Sequence, residues 1–190
     1  MERISVDSVE PRSFGGGVER RGLTRALDAN DVAINHYRVP PGDRLAGLHA
    51  HLDQAEVFVV VEGEPTFETL ADPGGTGRTV DVAAGEAVRF PPGEFQSGVN
   101  NSDREAVLYA LGAPPHSEDV RVPLTCAECG NDDLQLSFGG DGPDLVCPDC
   151  GAETDPACAE CGSDRKRIQL ADDGETPVDV CLDCGAESAA

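Results

Sequence analysis

The sequence predicts an all-β chain ending in two small cysteine-stapled units, and three observations carry that prediction. Between Val32 and Leu111, short apolar runs alternate with strong turn chemistry. Beyond about Asp119 the composition changes, and all eight cysteines appear there as a tandem repeat of C-x2-C pairs. The longest apolar run, Ala106 to Leu111, falls far short of the roughly 20 residues that span a bilayer.

Val32 to Val39, Val57 to Val61, Thr66 to Leu70, Thr79 to Val82, Ala87 to Phe90 and Ala106 to Leu111 read as extended segments. Pro40-Pro41-Gly42-Asp43, Asp72-Pro73-Gly74-Gly75, Ala84-Gly85-Glu86, Pro91-Pro92-Gly93 and Asn100-Asn101-Ser102-Asp103 separate them. In such turns proline presets φ, glycine admits positive φ, and Asn or Asp bonds its own backbone. Many short strands at this spacing build a sandwich or barrel. Ahead of them, Gly15-Gly16-Gly17 reads as a loop and Thr24 to Asp28 as one helical turn. Pro114-Pro115 marks the end of the strand-rich part. The expected organisation is a barrel over 1–118 and two cysteine units over 119–154 and 155–190.

Charge bounds the partners. The chain of 190 residues carries a net charge of −22, from 36 acids and 14 bases, and Lys166 is its single lysine. Such a surface repels nucleic acid and anionic membrane. It also repels itself, and high salt screens that repulsion by shortening the Debye length to about 3 Å at 1 M. The composition resembles that of proteins from extreme halophiles, the alternative being an ordinary acidic bacterial protein. The start, MERISVDSVEP, lacks the basic and apolar segments of a secretion signal, so a soluble cytoplasmic protein is expected.

The cysteine repeat is the strongest chemical signal. Cys126-Ala-Glu-Cys129-Gly recurs as Cys158-Ala-Glu-Cys161-Gly, and Cys147-Pro-Asp-Cys150-Gly-Ala-Glu as Cys181-Leu-Asp-Cys184-Gly-Ala-Glu. Within each unit the pairs lie 17 and 19 residues apart, the spacing of a structural zinc site. A glycine after each pair lets the backbone fold back so that amides face the thiolates. Four thiolates in a tetrahedron suit Zn²⁺ best, with iron as runner-up. Disulfides are opposed by the regular spacing and by a reducing cytoplasm. No βαβ pattern supports a redox pair. Sequential pairing, unit by unit, is favoured by the repeat, and crossed pairing stays open because only seven residues separate Cys150 from Cys158. The units thus resemble two zinc ribbons in series. Arg165-Lys166-Arg167, the basic cluster of this part, reads as a solvated strand end, and contact with a partner protein or a plain structural role is the expectation.

The second signal is His49-x-His51-x4-Glu56-x6-Gly63. Residues two apart on an extended backbone share a face, so the histidines point together. Two imidazoles and a carboxylate are the facial triad of non-haem iron and related sites. A second block, Gly85-x5-Pro91-x-Gly93-x2-Gln96-x3-Asn100, follows. Together the blocks resemble the paired motifs of the cupin superfamily, over roughly residues 30–113. Two departures stand out: six residues rather than five separate Gly42 from His49, and Gln96 occupies the place of a fourth ligand histidine.

The resemblance implies a double-sheet jelly-roll barrel holding one divalent metal (Fe, Mn, Ni or Zn) on His49, His51 and Glu56, with Gln96 auxiliary. The Gln96 amide either coordinates a hard ion through its oxygen or hydrogen-bonds a metal-bound water. The third alternative is a barrel that has lost its metal and holds only an organic ligand. The implied chemistries are oxygen-dependent oxidation of a small organic acid and isomerisation of a sugar-like substrate. The non-catalytic alternative is a small-molecule sensor whose ribbons dock a partner protein, and homodimers are common in the superfamily. No catalytic acid or base is assigned. His36 reads as a scaffold histidine with pocket lining as its alternative, Tyr37 takes the opposite face, and His116 reads as a linker residue. Phe58, Phe90 and Phe95 are expected in the core or pocket wall.

Overall fold

The computed structural model describes residues 1–13, 16–139 and 142–190. Two antiparallel sheets face one another. The larger has six strands in the order Arg12–Ser13, Glu19–Gly22, Ala33–Val39, Ala106–Ala113, Ala55–Glu62 and Ala87–Phe90. The smaller runs Arg78–Asp81, Thr66–Leu70, Phe95–Val99. Their inner faces meet through alternate residues: Phe58, Val60, Leu108 and Ala110 from the larger sheet lie in one cluster with Phe67 from the smaller. The Phe58 and Phe67 rings sit 4.9 Å apart across that interface. The predicted all-β jelly-roll is therefore the fold. The short turn of helix at Arg25–Leu27 matches the one expected there. Gly16 and Gly17 lie in a turn, while Gly15 of that expected loop lies outside the described residues.

One strand had no legible pattern. Phe95–Val99 is buried at every position, not at alternate ones. Its inner face closes the barrel and its outer face is covered by the cysteine units, so no polar alternation marks it in the sequence. Phe95 accordingly packs in a second cluster, not in the barrel core.

That cluster joins the barrel to the tail. Leu48, Ala50, Leu70 and Phe95 contribute from the barrel, and Val122, Leu134, Ile168 and Leu170 from the tail. Full burial of each large apolar side chain is worth roughly 1.5–3 kcal/mol, so the contact contributes strongly to holding the parts together. Hydrogen bonds reinforce it: Leu48 N–H donates to Ile168 O at 2.7 Å, and Gly77 N–H to Glu175 O at 2.7 Å. The approach at Gly77 is close: a Cβ there would lie 2.5 Å from Leu170 Cδ2, so any larger residue would have to displace that leucine.

The tail also shares a sheet with the barrel. Val120–Val122 pairs with Ala50–His51 on one side, setting Val120 opposite His51, and with Leu134–Gly139 on the other. Gly142–Val146 and Glu153–Thr154 complete these five strands. The second unit forms its own sheet from Lys166–Leu170, Pro177–Cys181 and Glu187–Ala189. Among the described residues, no helix is long and apolar enough to cross a membrane.

Candidate functional site

The site grows from the meeting of three elements. His51 ends the short strand Ala50–His51, Glu56 lies in Ala55–Glu62, and Gln96 lies in Phe95–Val99. His49 and Gln96 exchange both backbone hydrogen bonds, His49 N to Gln96 O at 3.1 Å and Gln96 N to His49 O at 2.8 Å. That bridge sets the Gln96 side chain beside the His49 imidazole. The Asn100 side chain, fully buried, donates to Val39 O and Arg104 O at 2.7 Å each, pinning the chain beyond the Gln96 strand.

All four side chains converge. One donor atom from each of His49, His51 and Glu56 lies within 4.8 Å of the others. The two imidazoles stand edge to face with centroids 5.0 Å apart. Glu56 Oε2 is 3.9 Å from His51 Nε2 and accepts a hydrogen bond from Gln96 Nε2 at 2.9 Å. Gln96 Nε2 is also 3.4 Å from His49 Nε2. His49 Nδ1 lies 2.8 Å from Gly47 O, so that nitrogen carries the proton and Nε2 presents a bare lone pair to the site. His51 Nδ1 is buried with no hydrogen-bond partner among the described residues.

Electrostatics match this geometry. Burial is the main cause that lowers both histidines, His51 to about 4 with help from its neighbour His49, so both rings are neutral near pH 7. Burial pushes Glu56 up to about 7 against the opposing charge of Arg20. A divalent cation would relieve that desolvated carboxylate and accept the bare imidazole lone pairs. The donor set therefore fits such an ion.

The cavity above the site has a volume of about 340 Å³, and Arg20, Asn35, Tyr37 and His116 line it along with the four site residues. Tyr37 is raised above its usual range, chiefly by burial, and stays a phenol. Two readings of histidine sort differently here. His36 faces away from the cavity, its ring 5.1 Å from that of Tyr109, as the scaffold reading expects. His116 is not a mere linker. The chain leaving the barrel carries it past the mouth of the site, which its Pro-flanked sequence gives no signal for.

The cysteines form two further clusters, Cys126, Cys129, Cys147, Cys150 and Cys158, Cys161, Cys181, Cys184. Pairing is sequential. In the first, Cys126 and Cys150 sulfurs lie 3.7 Å apart and Cys129 and Cys147 3.5 Å; in the second, the corresponding distances are 3.8 and 3.6 Å. Each C-x2-C-G knuckle closes with the glycine N–H on the first cysteine's carbonyl, and all four glycines hold φ between 73° and 78°. The Cys129 and Glu128 amides lower the Cys126 thiol to about 7, and the Cys184 and Asp183 amides lower Cys181 to about 6. The basic cluster dissolves on folding: Arg165 pairs with Asp183, Lys166 with Asp179, and Arg167 turns into the molecule.

A double-sheet barrel with two histidines, a glutamate and a glutamine gathered at its mouth defines the class. Residues 35–112 match the cupin domain family, and this part of the chain is a cupin domain. Solved structures agree on the fold. A sugar phosphate isomerase of the cupin superfamily from Silicibacter pomeroyi aligns with a TM-score of 0.57 at 21% identity, covering 80% of this chain and 96% of its own. A predicted oxalate decarboxylase from Thermotoga maritima aligns at 0.51 and 21%, covering 59% and 98%. A recombinant oxalate oxidase in complex with glycolate aligns at 0.53 and 19%, covering 62% and 61%. No curated protein matches the sequence significantly.

Proposed function

We propose that this chain is a metal-dependent cupin acting on a small oxygen-rich organic anion, with zinc in both cysteine clusters. The observation that carries the reading is the convergence of His49, His51 and Glu56 donor atoms within 4.8 Å at the base of a cavity. Gln96 stands as the auxiliary donor: turning its amide by half a rotation would present oxygen where nitrogen now lies. Bound there, a divalent ion would serve as Lewis acid and template.

The chain's own residues would do the rest. Arg20 contributes positive charge to the cavity and favours an anionic substrate over a neutral one. Tyr37 holds a proton at its hydroxyl on the opposite wall. His49 keeps its orientation through Gly47 O. An oxidation of a small acid and an isomerisation of a sugar phosphate both fit these groups, and the activities named for the structural neighbours fall in that class. Each ribbon would bind one zinc on four thiolates, a closed site without room for substrate.

The test is elemental analysis of the full chain, because the ribbons cover Leu48, Leu70 and Phe95 and the barrel alone would expose them. About three equivalents of divalent metal are expected, with about two remaining in His49→Ala. Equal metal content in the two proteins would overturn the reading. A second reading, a non-catalytic binding barrel, is favoured by the Gln96–Glu56 hydrogen bond, which satisfies the carboxyl without a cation. The same measurement separates them.

A further inference from the structure

A second cavity, of about 490 Å³, lies between the barrel and both cysteine units. It lies within the size range of small-molecule sites. One wall is the barrel, through Ala46 to His49 and His51, and the tail supplies the others. Leu48, Val122, Leu134, Leu136 and Leu145 give it an apolar body. Part of this surface is the underside of the cluster that seals tail to barrel, so a rigid scaffold shapes the space.

One charge inside it lacks a counterion. Arg167 is half-buried, its stem packed against Gly47, with Cγ 3.2 Å from where a Cβ would sit. Its Nε donates to Gln169 Oε1 at 3.0 Å, and it makes no ion pair among the described residues. The nearby acids are otherwise engaged. Glu68 takes both arms of Arg44 at 2.8 and 2.6 Å and the Leu170 N–H at 3.3 Å. Asp179 is tied to Lys166. Asp155 and Asp164 also line the cavity but are exposed. Burial and, after it, the charge of Arg44 disfavour the Arg167 cation, the Glu68 carboxylate offsets them only in part, and a further anion beside it would be stabilising. In a chain of net charge −22, a half-buried guanidinium left without a carboxylate is not accounted for by the fold.

We propose that this barrel–ribbon cavity binds an apolar organic anion, with its charged head on Arg167 and its hydrocarbon body on the leucine-rich wall. A guanidinium recognises a carboxylate bidentately, and the leucine-rich wall takes an apolar remainder. The site is distinct from the metal-facing cavity and stands without it, though His49 and His51 line both.

The test uses the zinc-loaded full chain and calorimetric titration with decanoate, with decanol as the uncharged control. Decanoate should bind, decanol at least tenfold more weakly. Arg167→Gln should lose at least tenfold in decanoate affinity while keeping its zinc, and Arg167→Lys, which keeps the charge but loses the bidentate fork, should fall between that variant and the unaltered chain. Leu136→Trp, which fills the cavity, should abolish binding. Every arm reads ligand affinity and ribbon zinc, so failure of the barrel-metal reading would not disturb this result. Absence of decanoate binding, equal affinity for decanol, or undiminished binding by Arg167→Gln would each overturn the proposal.

Discussion

The barrel site and the cysteine clusters gather similar numbers of donor groups by opposite means. Each cluster is local: two knuckles on neighbouring hairpins bring four sulfurs to within 4.8 Å of one another, the first cysteine of every pair buried and the second exposed. The barrel site joins one short stretch, His49 to Glu56, to Gln96 on a strand far along the chain, lies under a cavity, and mixes two neutral imidazoles with a reluctant acid. The difference teaches what each can do. A saturated tetrahedron of one ligand type holds structure, whereas an open and electrostatically uneven set leaves positions for a substrate.

The most disruptive way to break this contrast is to unmake a knuckle. Cys126→Ser should cost the first unit most of its zinc stabilisation, about 10 kcal/mol in apparent terms. Zinc content should drop by one equivalent, and residues 119–154 should become protease-sensitive. Because Val120 pairs with His51, barrel metal should weaken as well. A barrel that keeps its metal at full strength would show the two sites to be independent.

A smaller perturbation probes the seam. Leu48 is 1% exposed between barrel and ribbon, so Leu48→Ala should destabilise the chain by about 2–5 kcal/mol in urea unfolding. A change within about 0.5 kcal/mol, typical of a surface site, would mean the seam is open in solution.

The smallest effect sharpens the electrostatic side. Glu56 must shed its proton to bind a cation, and its pKa is raised from 4.5 to about 7. Apparent affinity for Mn²⁺ should therefore fall about tenfold for each pH unit below 7. In the metal-free barrel the sign is complementary. The neutral carboxyl's contribution to stability is full below 4.5 and is lost as pH rises through about 7, a dependence that Glu56→Gln should flatten. Ribbon zinc should not follow this profile. An affinity that stays flat between pH 5 and about 7 would remove Glu56 from the site.

Much of this molecule was legible beforehand, for physical reasons that differ by region. Strands such as Thr66–Leu70 and Ala87–Phe90 fall where turn residues bracket them. The cysteine clusters follow from spacing alone, since a knuckle needs only local geometry. His49 and His51 were readable as a pair because they share a strand face. The remainder depends on tertiary contact. The strand bearing Gln96 is covered on both sides, so its burial leaves no alternation to find. His116 reaches the cavity only through the path the chain takes out of the barrel. Arg167 sits in a run of three basic residues, and nothing in that run separates it from Arg165 and Lys166, which pair with carboxylates.

The sheet that runs from Ala50–His51 into Val120–Val122 has an evolutionary corollary. A relative that lost its tail would leave a row of greasy side chains at positions 48, 70 and 95 facing water. Lineages without the ribbons should therefore carry hydrophilic replacements at those three places, or recruit another subunit to shield them. Genomic comparison of long and short versions would reveal which solution was taken.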